Sequence, residues 1–92
     1  MSNILFVNVM EEIVRGLVNF LVRGVEYQTF CHCEKCEMDV NAIALNALPS
    51  KYITSQKSRD LVFEQLNTPE NIEEINKQII RALHQVNRYP RH

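Results

Sequence analysis

Cys31, Cys33 and Cys36 are the only thiols in a chain of 92 residues, and all three fall in the run Cys31-His32-Cys33-Glu34-Lys35-Cys36. A C-x-C-x-x-C loop can turn three sulfurs toward one point, which is most of a tetrahedral structural zinc site built from thiolate and imidazole. Soft donors of this kind favour zinc, although iron–sulfur ligation would use the same thiolates with a His as the fourth ligand. A disulfide framework fits less well, because three cysteines leave one over and the opening residues lack the pattern of a signal peptide. Cys33-Glu34-Lys35-Cys36 also has the form of a redox dithiol, but that motif is expected in a strand-rich βαβ neighbourhood that this chain lacks. Three thiols with no shared role would be the bland alternative. The polar neighbours His32, Glu34 and Lys35 make poor core material for it.

Three cysteines leave one tetrahedral position for another residue. His32 lies between two of the thiols and points differently from both, so its expected place is the rim of the site. His84 falls within a helical pattern, away from its main apolar stripe, where a surface imidazole is the ordinary role. Asp39 is a more distant candidate. His92 follows Pro90, which can turn the tail back over the body, with a frayed end as the simple alternative. The expected metal set is Cys31, Cys33, Cys36 and His92, with His84 or water still open for the fourth position. Catalytic zinc would keep that position for water and need a base such as Glu34, Glu37 or His32. No nucleophile–base–orienter set is visible, so the chain is expected not to be an enzyme.

The elements that must hold the cysteines are helical. Asn8-Val9-Met10-Glu11 has the form of a capping box and opens a long pattern running to about Tyr27. With successive residues ~100° apart, Val9, Ile13, Val14, Leu17, Val18, Phe20, Leu21 and Val25 fill an arc of about 180°. An ordinary surface helix carries a stripe of about 100°, so this first helix, about 30 Å long, is expected to face both its own core and a second copy of the chain. The alternative is that two helices of the same chain cover the whole arc. Cys36 to Pro49 is rich in Ala and Leu and apolar nearly all round, which predicts a buried central helix with Asp39, Asn41 and Asn46 as its polar exceptions. Ser55 or Ser58 caps a short third helix through Leu66. Thr68-Pro69-Glu70 starts a fourth, with Ile72, Ile75, Ile79, Leu83 and Val86 on one stripe to about Asn87. With no sustained strand alternation, the fold class is all-α: one domain over residues 1–92, a small bundle of about four helices with the cysteine loop between the first and second.

Composition narrows the partners. The net charge is −1 and the Lys and Arg residues are scattered, so direct, tight binding to nucleic acid is disfavoured. No apolar run approaches the ~20 residues that span a bilayer, and reduced thiols without an export signal make the cytoplasm the expected compartment. A domain this small has a limited core, which a metal staple or a partner subunit would both reinforce.

The order of motifs resembles the ComFB-like late competence development proteins. The resemblance rests on Asn8-Val9-Met10-Glu11-Glu12, Cys31-x-Cys33-x-x-Cys36, Asp39-Val40-x-Ala42 with Ala44-Leu45-Asn46, then Leu48-Pro49 and Tyr52, in that order, and on the ending Pro90-Arg91-His92. It implies a small all-helical bacterial protein that forms a symmetric homodimer and holds zinc through the cysteine motif. Family members with a fourth cysteine carry it after the last helix. This chain has none there, and His92 stands close to the vacant position. Some relatives resemble receptors for cyclic dinucleotides, which implies a signalling or adaptor role with Lys51, Tyr52 and Arg59 as candidate ligand-binding groups. A two-fold ligand would suit a two-fold dimer axis. The competing expectation is a protein-interaction accessory of competence and DNA uptake that meets a protein partner and no small ligand.

Overall fold

The computed structural model describes residues 4–89. In chain order the elements are β1 (Val7–Asn8), α1 (Val9–Val22), a 3₁₀ turn (Val25–Tyr27), α2 (Glu34–Asn46), β2 (Tyr52–Ile53), α3 (Gln56–Leu66) and α4 (Pro69–Arg88). Four helices carry the fold, as the sequence pattern predicts. β1 and β2 add a short antiparallel ladder with Val7 opposite Ile53 and Asn8 opposite Tyr52, which two-residue strands are too short to announce by alternation.

Each helix starts where a side chain answers its first free N–H groups. Asn8, Ser55 and Thr68 accept from Met10 N–H, Ser58 N–H and Asn71 N–H at 3.1, 3.2 and 3.3 Å. Asn8 does more than cap. Its Oδ1 also accepts the Lys51 N–H at 2.7 Å, so one side chain ties the start of α1 to the connector after α2. Leu5 N–H to Thr54 O at 2.9 Å and Val9 N–H to Lys51 O at 2.8 Å complete this seam. Glu11 pairs with Arg15 at 3.7 Å.

The first helix ends at Val22, five residues before the expected Tyr27. Gly24 is the reason. It takes an extended conformation, donates to Leu21 O at 3.0 Å, and a Cβ there would sit 3.2 Å from that carbonyl. At ~1.5 Å per residue, the 14 residues of α1 make it about 21 Å long instead of 30, and Val25 leaves the arc assigned to it.

The core lies where α2 packs against α4 and α1. Val9, Met10, Ile13, Val14, Val18 and Val22 of α1 meet Cys36, Val40 and Ala44 of α2 and Ile75, Ile79, Ala82, Leu83 and Val86 of α4 in one buried cluster. The stripe of α4 is the expected one. α2, however, is not buried on all sides, because α3 packs on α1 and leaves the outer face of α2 uncovered, with Met38 39% exposed. Asn41 turns inward, 6% exposed, and donates through Nδ2 to Glu37 O at 3.0 Å. α3 buries only Leu66 and is held to α1 by Arg59, which pairs with Glu12 and lies 4.6 Å over the Phe63 ring.

Asn8→Ala removes a cap and hands the exposed Lys51 N–H to water, and is expected to destabilise the fold by about 1 kcal/mol, whereas Asn8→Asp keeps both acceptor contacts. Chemical denaturation of the two variants checks this. Equal stability of Asn8→Ala and the parent would show that the side chain does not tie the seam.

Candidate metal centre

The cysteine loop is built by short-range hydrogen bonds before any metal is considered. After the 3₁₀ turn, Tyr27 O accepts from Phe30 N–H at 3.1 Å, and the His32 Nε2 lies 3.2 Å from the same carbonyl. Phe30 is 6% exposed and anchors the loop in the core immediately before Cys31. Its role went unread in the sequence, although an aromatic next to a cysteine cluster was a usable signal. The loop ends as Cys33 becomes the N-cap of α2: Cys36 N–H donates to Cys33 Sγ at 3.3 Å, and Glu37 N–H to Cys33 O at 3.1 Å. α2 therefore starts at Glu34, two residues before the expected Cys36.

This start brings the three sulfurs together within 4.8 Å of one another. Three thiolates at ~2.3 Å from one tetrahedral ion lie about 3.8 Å apart, so each pair needs to close by no more than about 1 Å. The residues fit a metal. Cys31 is partly buried, Cys33 exposed and Cys36 fully buried, which places the site at the rim of the core.

Among the described residues no imidazole or carboxylate joins the three sulfurs within that distance. His32 is exposed and engaged with the Tyr27 carbonyl. His84 lines a recess of about 300 Å³ with Tyr27, Thr29 and Phe30, the residues that lead into Cys31. Asp39 pairs with Lys35 at 2.8 Å and is partly buried, lining a recess between α2 and α4 with Gln85 and Val86. His92 lies outside the described residues.

The two thiols of α2 differ in acidity. Burial pushes Cys36 up to about 12, with the sulfurs of Cys33 and Cys31 adding to the effect. The Cys36 N–H, aimed at Cys33 Sγ, holds the Cys33 thiol below its ordinary value.

The other candidate residues stand elsewhere. Lys51 and Tyr52 are exposed on and beside β2, where Tyr52 stacks on Phe6 with ring centroids 5.1 Å apart. Arg59 is engaged by Glu12 and, at 3.2 Å, by Asp60, and these carboxylates raise its pKa. The structure does not bring Arg59 to the sulfurs or set it apart as an uncommitted cation. No helix among the described residues is long and apolar enough to cross a membrane.

Fold and loop together define a small helical protein with a thiol cluster able to hold a metal ion at the start of its central helix. The family model described as "Late competence development protein ComFB" matches residues 7–90, and the chain belongs to that family. In fold it is similar to the late competence protein ComFB from Bacillus subtilis, with a TM-score of 0.78 at 21% identity, covering 95% of this chain and 96% of that one. No curated protein matches it.

The acidity of Cys36 sets a pH dependence. A raised folded pKa makes the protonated thiol a stabilising feature that is present below 9.0 and lost as pH climbs toward about 12. Ligation needs the thiolate, so a metal must expel that proton, and affinity is expected to rise steeply between about pH 6 and about pH 8. Cobalt(II) titration, followed by thiolate-to-metal charge-transfer absorption, measures this. Affinity independent of pH would show that the cysteines are not the ligands.

Proposed function

We propose that this member of the ComFB family is a non-enzymatic homodimeric adaptor whose cysteine loop holds one structural zinc ion per chain. The observation that carries the metal reading is the convergence of three sulfurs within 4.8 Å at the start of a core helix, from the loop before it, its N-cap and its first turn. Thiolate-rich sites with a fourth protein ligand are structural, and His92 is the residue we assign to that position. Zinc there fixes where α2 begins and how the chain leaves α1.

The dimer reading is supported by the outer side of α1. Phe20 is 75% exposed, Leu17 and Leu21 are only partly covered, and nothing lies within 4 Å of where a Cβ on Gly16 would be. A mid-helix glycine costs ~1 kcal/mol relative to Ala, a loss that close approach of a second chain would offset. The radius of gyration, 14.3 Å against about 12 Å for a compact domain of this length, is consistent with a protomer that leaves apolar surface for a partner.

Elemental analysis is expected to find one zinc per chain. Chelation should lower the melting temperature markedly, since structural zinc contributes an apparent ~10–16 kcal/mol in small domains. Light scattering should give two chains for the parent and one for Phe20→Glu, with helix content kept. A metal-free protein whose melting is indifferent to chelators, or a parent that is monomeric, would remove the corresponding half of the proposal.

One observation favours a ligand in addition. Tyr52 is 59% exposed, stacked on Phe6 and adjacent to exposed Lys51, which together offer an aromatic face beside a cation. On this second reading a cyclic dinucleotide stacks a base on Tyr52 and places a phosphate at Lys51. Arg59 would have to exchange Glu12 and Asp60 for phosphate to take part. Calorimetry with cyclic di-AMP and cyclic di-GMP is expected to show binding that Tyr52→Ala weakens by at least about fivefold, in keeping with ~1–3 kcal/mol per stacked base. No heat with either compound would leave an adaptor that meets only proteins.

A further inference from the structure

Cys33 and Cys36 occupy positions that suit thiol oxidation as well as ligation. Cys33 is the N-cap of α2 and exposed, whereas Cys36, three residues on in the first turn, is 0% exposed. The Cys36 N–H donates to Cys33 Sγ at 3.3 Å, so the outer sulfur is already folded over the turn that carries the inner one. Their sulfurs lie within 4.8 Å of each other, and a side-chain rotation closes a link between a helix N-cap and the residue three on without unwinding the helix. Cys31 and Cys33 have one residue between them in an irregular loop, a poorer frame for a disulfide. The chain lacks the βαβ surroundings of the familiar redox dithiols, yet the placement of one exposed and one buried thiol on a single helical turn is present.

We propose that Cys33 is an oxidation site, and that hydrogen peroxide links it to Cys36 and thereby dismantles the metal site. The sulfur of Cys33 attacks one peroxide oxygen; an S–O bond forms, the O–O bond breaks, and the leaving hydroxide takes the thiol proton as water. The sulfur of Cys36 then attacks the Cys33 sulfenic acid; an S–S bond forms, the S–O bond breaks, and a second water leaves with the Cys36 proton. In sum two thiols and one peroxide give one disulfide and two waters, with each sulfur oxidised by one electron and the peroxide reduced by two. Only Cys31 then remains as a thiol, and one thiol cannot hold the ion. The release of metal rests on the zinc reading above, while the disulfide stands on the positions of the two sulfurs alone.

The test treats metal-free and zinc-loaded full-length protein with hydrogen peroxide, alkylates the remaining thiols and maps the products by mass spectrometry. Trypsin cuts after Lys35, between the two cysteines, so a Cys33–Cys36 bond joins two tryptic peptides. In the parent the joined pair is expected together with alkylated Cys31, and in Cys31→Ser the same Cys33–Cys36 pair is expected to form. It should be lost in Cys33→Ser, where the serine still caps α2 and circular dichroism verifies the fold. From zinc-loaded protein, a chromogenic chelator should detect zinc in step with the disulfide, and a dithiol reductant should restore metal uptake. A disulfide formed by a protein that takes up no zinc would overturn the metal reading and leave the oxidation site standing. Zinc uptake without a joined pair after peroxide, or a bond placed on Cys31, would overturn the oxidation site and leave the metal reading intact.

Discussion

The first turn of α2 is the point on which the rest of the molecule depends. Its N-cap is a cysteine whose sulfur accepts the backbone N–H of another cysteine, and that second cysteine is fully buried between α1 and α4. A displacement of this turn is therefore a displacement of the core, because Val40 and Ala44 follow Cys36 on the same buried face. The loop ahead of it has little else to hold it: one carbonyl, that of Tyr27, takes both the Phe30 N–H and the His32 ring, and Phe30 is its main apolar anchor. Gathering three sulfurs at this place concentrates the local stability of the fold in a few atoms.

A second fixed point lies at the opposite end of the chain path. Asn8 caps α1 and holds Lys51, so the segments before α1 and after α2 run together as a two-stranded seam. The seam and the cysteine loop bracket the α1–α2 pair, and α4 closes the core over both. α3 is the exception. It fully buries a single residue, with Val62 and Phe63 only partly covered, and its ion pair to α1 is Arg59 with Glu12, which places it at the low-stability end of the structure.

Much of this was legible in the sequence because it rests on local chemistry. Asn8, Ser55 and Thr68 declare helix starts through their side-chain acceptors, and the apolar spacing of α4 gives its buried face directly. The convergence of the three cysteines, in a cluster able to hold a metal ion, was readable from donor type and spacing, and the ComFB resemblance carried by those same motifs agrees with the family match. What stayed hidden depends on contacts between distant residues. A two-residue ladder has no periodicity, and the uncovered outer face of α2 follows from the placement of α3 on α1 instead of α2. Gly24 lies inside an apparently continuous apolar arc, and only the backbone shows that it ends the helix. The commitment of Arg59 to Glu12, 47 residues away, could not be read from spacing, yet it decides that this cation is not idle.

The division of labour between sites follows from the same geometry. The sulfur cluster is at the start of α2, while the exposed aromatic and cationic groups at Tyr52 and Lys51 belong to the seam on the other fixed point. Metal and any ligand would thus act on different ends of the α1–α2 pair, coupled through the core helices rather than through a shared site. The measurement that most directly tests the central claim is X-ray absorption at the zinc edge of the purified protein. The account predicts three sulfur neighbours at about 2.3 Å and one nitrogen at about 2.0 Å around each ion. A first shell without sulfur, or with four sulfurs, which a chain with three thiols could not supply by itself, would contradict it.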